Sequence, residues 1–98
     1  MTLRIDPEEN ELEALRAVTD WRGRQVLEIG CGEGRLTRRL ARLGARVAAI
    51  DPDAKLIERA RAALTTRLAR RISFRAGSAE RLPFGDGEFD VVVFAWAL

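Results

Sequence analysis

The chain has 98 residues, enough for one small domain with a modest core and too few for two. Hydrophobic residues make up 47% and charged residues 33%, a globular balance. The absence of histidine excludes a Ser-His-Asp or Cys-His nucleophile pair, a histidine metal site and a histidine general base within these residues.

The lone cysteine, Cys31, excludes an internal disulfide and a multi-cysteine zinc site, so no metal is expected and a reducing compartment is. The longest apolar run, VVVFAWAL, falls far short of the ~18 residues of a membrane helix, and the acidic N-terminus is unlike a signal peptide. The expected setting is the cytoplasm, with no membrane span. The net charge of +2 hides an uneven layout, since residues 21–71 carry thirteen basic and five acidic groups. Arg35, Arg38, Arg39 and Arg42 fall on the outer side of one helical pattern. They read as a solvated face rather than a phosphate-backbone footprint, and nucleic acid is not an expected partner.

In chain order, DPEENELEALRAV predicts an N-terminal helix with Asp6 as N-cap, Pro7 at the first helical position, and Leu12, Leu15 and Val18 inward. QVLEI predicts the first strand, ending where Gly30 opens a glycine loop. From Glu33 to Leu43 the spacing of Leu36, Leu40 and Leu43 predicts a helix, which Gly44 stops in a left-handed conformation. ARVAAI predicts the second strand, closed by Asp51 and Pro52. DAKLIERARAALTTRLA predicts one continuous helix capped by Asp53, with Leu56, Ile57, Ala60, Leu64 and Leu68 inward. ISFRA predicts the third strand, GSAERLPFGDGEFD a loop with one helical turn, and DVVVFAWAL a fourth strand buried on both faces. Trp21 and Trp96 are expected as core or edge cover.

Strands alternating with helices at this spacing imply right-handed crossovers and a parallel sheet: an open, Rossmann-like α/β fold with strand order 3-2-1-4 and an N-terminal helix. In such folds ligands bind beyond the carboxyl ends of the strands, where Gly30, Asp51, Ser78 and Phe94 fall. The loop itself is GxGxG, from Gly30, Gly32 and Gly34. A dinucleotide fingerprint would need glycine at position 35, which is Arg35, and no lysine followed by serine or threonine makes a P-loop. The weak glycine signal gains weight from Glu28 before it and from Asp51 at the end of the next strand.

These residues resemble the class I S-adenosylmethionine-dependent methyltransferases. EIGCGEG is similar to that family's first motif and AIDPD to the acidic end of its second strand. GSAERLPFGDGEFDVVV is similar to the passage from the third strand to the fourth, most of all in the small-molecule branch that includes the ubiquinone and menaquinone biosynthesis methyltransferases. The resemblance covers Val26 to the end. It implies a single S-adenosylmethionine-binding domain over residues 1–98, truncated at its C-terminal end, in an enzyme that methylates a small-molecule acceptor. Any catalytic base would lie beyond Leu98.

The implied cofactor-binding set is Glu28, Gly30, Cys31, Gly32, Gly34, Asp51, Pro52, Ser78, Ala79 and Phe94. In it Asp51 would accept from both ribose hydroxyls, Glu28 would lie near the cofactor's ammonium group, and the Ala79 N–H would reach adenine. Ser78 stands where many relatives carry aspartate, and Cys31 is by its own chemistry a small packing residue. A non-catalytic or self-associating methyltransferase-like module is the alternative reading. The charge-free fourth strand, left with one unpaired edge, would favour a homodimer through that edge.

Overall fold

The structure is a computed structural model that describes residues 2–5, 11–78, 80 and 87–95. Its elements in order are β1 (Thr2–Ile5), α1 (Glu11–Val18), β2 (Gln25–Ile29), α2 (Arg35–Arg42), β3 (Arg46–Asp51), α3 (Ala54–Ala62), α4 (Thr66–Ala69), β4 (Ile72–Ala76) and β5 (Val91–Ala95). The five strands form one parallel sheet in the order β1-β5-β2-β3-β4. Counting only the four strands expected from sequence, this is the order 3-2-1-4. The fold is the expected Rossmann-like one.

Alternation along the strands sends Val26, Val47, Ala49, Phe74, Val91 and Val93 to one face, where they form a single core with Leu36 and Leu40 of α2 and Ile57 and Ala60 of α3. Trp21 belongs to the same core, 2% exposed, and its Nε1–H donates to the carbonyl of Leu15 at 2.8 Å. Gly44 ends the α2 region at φ 103°, as its position predicts; a Cβ there would come within 3.0 Å of the Arg22 backbone.

Several expectations change. The long helix after β3 is two helices, because the Thr65 hydroxyl accepts from the Leu68 N–H at 3.3 Å and starts α4 afresh. Threonine side chains compete in this way with helix continuation. Helix α2 begins at Arg35 instead of Glu33, since Gly34 sits left-handed as its N-cap. Val18 ends α1 39% exposed instead of facing the core. Strand β5 is buried on one face only, with Val91 and Val93 enclosed and Val92, Phe94 and Ala95 half-buried. The expected caps Asp6 and Pro7, the helical turn in residues 81–86, and Trp96 lie outside the described residues, as does the side chain of Leu12.

The largest correction concerns the edge of β5. β1, absent from the sequence reading, lies parallel against it with Thr2 opposite Val92 and Ile5 opposite Ala95. The edge expected to be unpaired is therefore occupied, and the homodimer expected through it would require β1 to leave. β1 is itself short, a common protection of an exposed edge.

At the opposite edge, Val47 N–H bonds Arg71 O and Gly77 N–H bonds Asp51 O, so the alternate carbonyl of Phe74 points away from the sheet. Arg61 of α3 donates to it at 2.6 Å. Removing residues 1–5 should expose β5 and make the chain self-associate at concentrations where the full chain does not. Sedimentation velocity across a wide concentration range checks this, and identical behaviour of the two chains would contradict the protective role of β1.

Candidate functional site

Three loops meet at the carboxyl ends of β2, β3 and β4, and Asp51 joins them. Its side chain is 9% exposed. Oδ2 accepts from the Gly32 N–H at 2.9 Å, Oδ1 accepts from the Asp53 N–H at 2.9 Å, and its backbone carbonyl accepts from the Gly77 N–H at 3.0 Å. Asp53 then caps α3, accepting from Lys55 and Leu56. The capping duty that Asp51 could have performed thus falls to its neighbour, and the Asp51 carboxylate braces the glycine loop instead.

The glycines of that loop answer to three different constraints. All are left-handed, with φ of 83° at Gly30, 55° at Gly32 and 85° at Gly34, a region that L side chains rarely adopt. A Cβ on Gly30 would lie 3.0 Å from the carbonyl oxygen of Ala95, so β5 passes directly beside it. A Cβ on Gly34 would fall 2.6 Å from the Phe74 ring and 3.4 Å from Ala60, inside the core. A Cβ on Gly32 would meet nothing within 4 Å. Only Gly32 opens toward space, and its N–H is the one held by Asp51.

Backbone bonds complete the turn. Gly30 and Cys31 N–H both donate to Ile50 O at 2.9 and 3.1 Å, and Gly34 N–H donates to Cys31 O at 2.9 Å.

Glu28 is fully buried, and Thr37 Oγ1 donates to its Oε1 at 2.5 Å, pinning the end of β2 to α2. Cys31 is 7% exposed in the core. Burial, then the charges of Glu28 and Asp51, push its thiol pKa up to about 12, so it stays protonated and unreactive at neutral pH. Pro52 and Ser78 are exposed at the ends of β3 and β4, and Phe94 is half-buried in β5. Ala79 lies outside the described residues.

Of the expected set, then, Gly32, Asp51, Pro52 and Ser78 surround the open end of the sheet, while Glu28, Cys31 and Gly34 are directed inward. Thr37 was missed. A threonine inside the apolar arc of α2, between Leu36 and Leu40, together with an acid inside an apolar strand, was the available signal. Among the described residues no three His, Cys, Asp or Glu side chains cluster as a metal site, and no helix is long and apolar enough to cross a membrane.

Residues 26–98 match the family described as methyltransferase domain. The chain belongs to this family. It is 40% identical over 76 residues to an uncharacterized methyltransferase of Synechocystis, covering 78% of this chain and 34% of that protein. To a ubiquinone biosynthesis O-methyltransferase of Chelativorans it is 40% identical over 79 residues, covering 80% of this chain and 30% of the relative. It therefore spans about a third of the length of the curated relatives it matches.

Among solved structures it is similar to magnesium protoporphyrin IX methyltransferase of Synechocystis with bound S-adenosylhomocysteine. The TM-score is 0.71 and the identity 28%, over 85% of this chain and 37% of that one. A methyltransferase of Methanococcus maripaludis shares the fold with TM-score 0.76 at 24% identity, over 85% of this chain and 39% of that one. The fold and family are those of S-adenosylmethionine-dependent methyltransferases, and the resemblance first seen in EIGCGEG and AIDPD holds.

The geometry separates the glycines experimentally. Gly34→Ala should cost about 2–4 kcal/mol of stability, from left-handed strain plus overpacking against Phe74. Gly32→Ala should cost about 1–2 kcal/mol, from strain alone. Urea unfolding measures both; equal losses would mean that the Phe74 contact does not constrain Gly34.

Proposed function

We propose that this chain is the cofactor-binding part of an S-adenosylmethionine-dependent methyltransferase acting on a small-molecule acceptor. The observation that carries the reading is the pairing of Gly32 with Asp51. One glycine of the loop faces open space while an almost buried carboxylate at the end of the next strand fixes its N–H. Left-handed backbone alone accounts for a glycine at position 32; what supports a ligand there is that its open side lies next to the Asp51 carboxylate.

The chemistry of the pair fits an amino-acid nucleoside. Each Asp51 oxygen accepts one backbone N–H and keeps further acceptor capacity, so the carboxylate can take ribose hydroxyls without giving up the loop. Its charge disfavours a ligand bearing a 2′-phosphate, and the spacing of the loop lacks the third glycine of a dinucleotide site. Gly32 would leave room for the methionine end to lie against backbone, and Ser78, exposed at the end of β4, would stand near adenine. When bound, S-adenosylmethionine supplies an electrophilic methyl group on a sulfonium centre.

The residues of this chain contribute by holding and orienting the ligand, since methyl transfer depends chiefly on alignment with the acceptor. Of the titratable groups at the loop, Glu28 is committed to Thr37, Cys31 to the core as a neutral thiol and Asp51 to two backbone amides, while Glu33 is largely exposed and pairs with Arg59. Proton transfer from an acceptor, where the reaction needs it, would fall to other residues. The same commitment favours the second reading, a module that binds cofactor without catalysis. Adding candidate acceptors with radiolabelled methyl donor separates the two. The buried free thiol of Cys31 supports a reducing, cytoplasmic setting.

Calorimetric titration should show binding of S-adenosylhomocysteine and none of NAD at equal concentration. Asp51→Ala should weaken the former at least ~10-fold, the loss of a charge-assisted hydrogen bond. Because Asp51 also braces the loop, the decisive comparison uses an analogue lacking the ribose 2′-hydroxyl. It should bind the native chain more weakly than S-adenosylhomocysteine and show no such difference against Asp51→Ala. An unchanged difference in the variant would remove Asp51 from the ribose site.

A further inference from the structure

A second concave site lies near the amino ends of β3 and β4, away from the glycine loop. A cavity of about 640 Å³ between the C-terminal end of α2 and α4 is lined by Arg42, Arg67, Arg70 and Arg71, with Thr65, Leu68 and Ala41. Four guanidinium groups share it, and among the described residues no carboxylate lines it. Arg71 is oriented by donating from Nη1 to Ala41 O at 3.4 Å. Arg42, Arg67 and Arg70 are exposed, and two ion pairs, Arg22 with Asp20 and Arg59 with Glu33, lie elsewhere.

Part of this charge answers the carbonyl end of α2, whose last turn holds Arg39 and Arg42. A helix C-terminus carries roughly half a negative charge, however, so it offsets only part of the positive charge that the described lining residues bring to the cavity. Thr65 adds a hydroxyl whose oxygen accepts from Leu68, leaving its proton to be donated. Guanidinium forks with a neighbouring hydroxyl suit the several acceptor oxygens of a phosphate group, which arginine binds in bidentate fashion. The volume is that of a small-molecule site rather than of a groove for a polymer, within the roughly 300–1,000 Å³ usual for such sites.

We propose that this cavity binds a small, multiply charged phosphate anion, independently of the glycine loop. An adjoining cavity of about 440 Å³ shares Arg70 and Arg71 and adds Arg46, but Glu88, Ile72 and Phe89 line it too, so it suits the organic part of such a ligand rather than a second phosphate.

The test titrates the full chain with inorganic tripolyphosphate at ~0.1 M salt, where exposed charges are screened beyond about 10 Å. Binding should appear below millimolar concentration. Arg42→Gln and Arg67→Gln, both exposed and so compatible with the fold, should each weaken it at least 5-fold. Arg59→Gln, which removes the same charge elsewhere, should leave it unchanged, and S-adenosylhomocysteine should not compete. Three results would overturn the proposal: no binding at 1 mM, equal weakening by Arg59→Gln, or a twelve-nucleotide single strand that binds more tightly than tripolyphosphate and displaces it. The last would make the surface a nucleic-acid contact.

Discussion

The organisation of this protein turns on one carboxylate. Asp51 stands at the end of the interior strand β3, where the chain must leave the sheet, and it satisfies backbone N–H groups on both sides of the exit: Gly32 in the loop after β2 and Asp53 at the start of α3. Its own carbonyl takes the Gly77 N–H beyond β4. Buried backbone donors left unpaired would each cost about 1–3 kcal/mol, so the carboxylate here fixes two chain segments and the backbone of the same residue a third. Those segments are the rim of the cleft. The group that holds the loops together is thus also the one we propose to meet a ligand, so a substitution there alters the loop along with any binding.

The remainder of the site is built around that brace by exclusion. Gly30 is a glycine because β5 runs alongside it, and Gly34 because Phe74 and Ala60 press against it from the core. Gly32 is left as the position where conformation demands glycine and the surroundings stay open. Glu28 works one layer below. A fully buried acid in the middle of an apolar strand, it receives the Thr37 hydroxyl and so locks α2, with the loop at its N-terminus, onto the sheet. A carboxyl in this place shapes the loop from beneath, and its distance from any ligand is set by how far the overlying turn lets it reach.

Much of this was legible in the residues because the signals were local. β2 and β4 were delimited correctly by short apolar or β-branched runs against glycine and charge, the Asp53 cap by its position before a helical period, and the Gly44 stop by its place after Leu43. The candidate site could be proposed from the residues because GxGxG and a strand-terminal aspartate are set by local backbone geometry. What escaped depends on contacts between distant residues. Nothing within TLRI distinguishes a four-residue strand from a tail until β5 is there to pair with it. The helix break at Thr65 is a competition between a side-chain hydroxyl and helix continuation that the leucine spacing conceals. Likewise, the division of labour among the three glycines is invisible until Ala95 and Phe74 are brought beside them. Arg42 reads along the chain as part of a solvated helix face, and only the packing of α4 against α2 brings Arg67, Arg70 and Arg71 around one cavity with it.

The central claim is that the open side of Gly32 and the carboxylate of Asp51 form one cradle for S-adenosylmethionine. Residue-resolved amide chemical shifts during titration with S-adenosylhomocysteine test it most directly. The account predicts saturable shifts concentrated at Gly32, Asp51, Asp53 and Ser78, with Arg42, Arg67 and Arg70 unaffected. Shifts that spare Gly32 and Asp51, or that spread evenly over the surface without saturating, would contradict it.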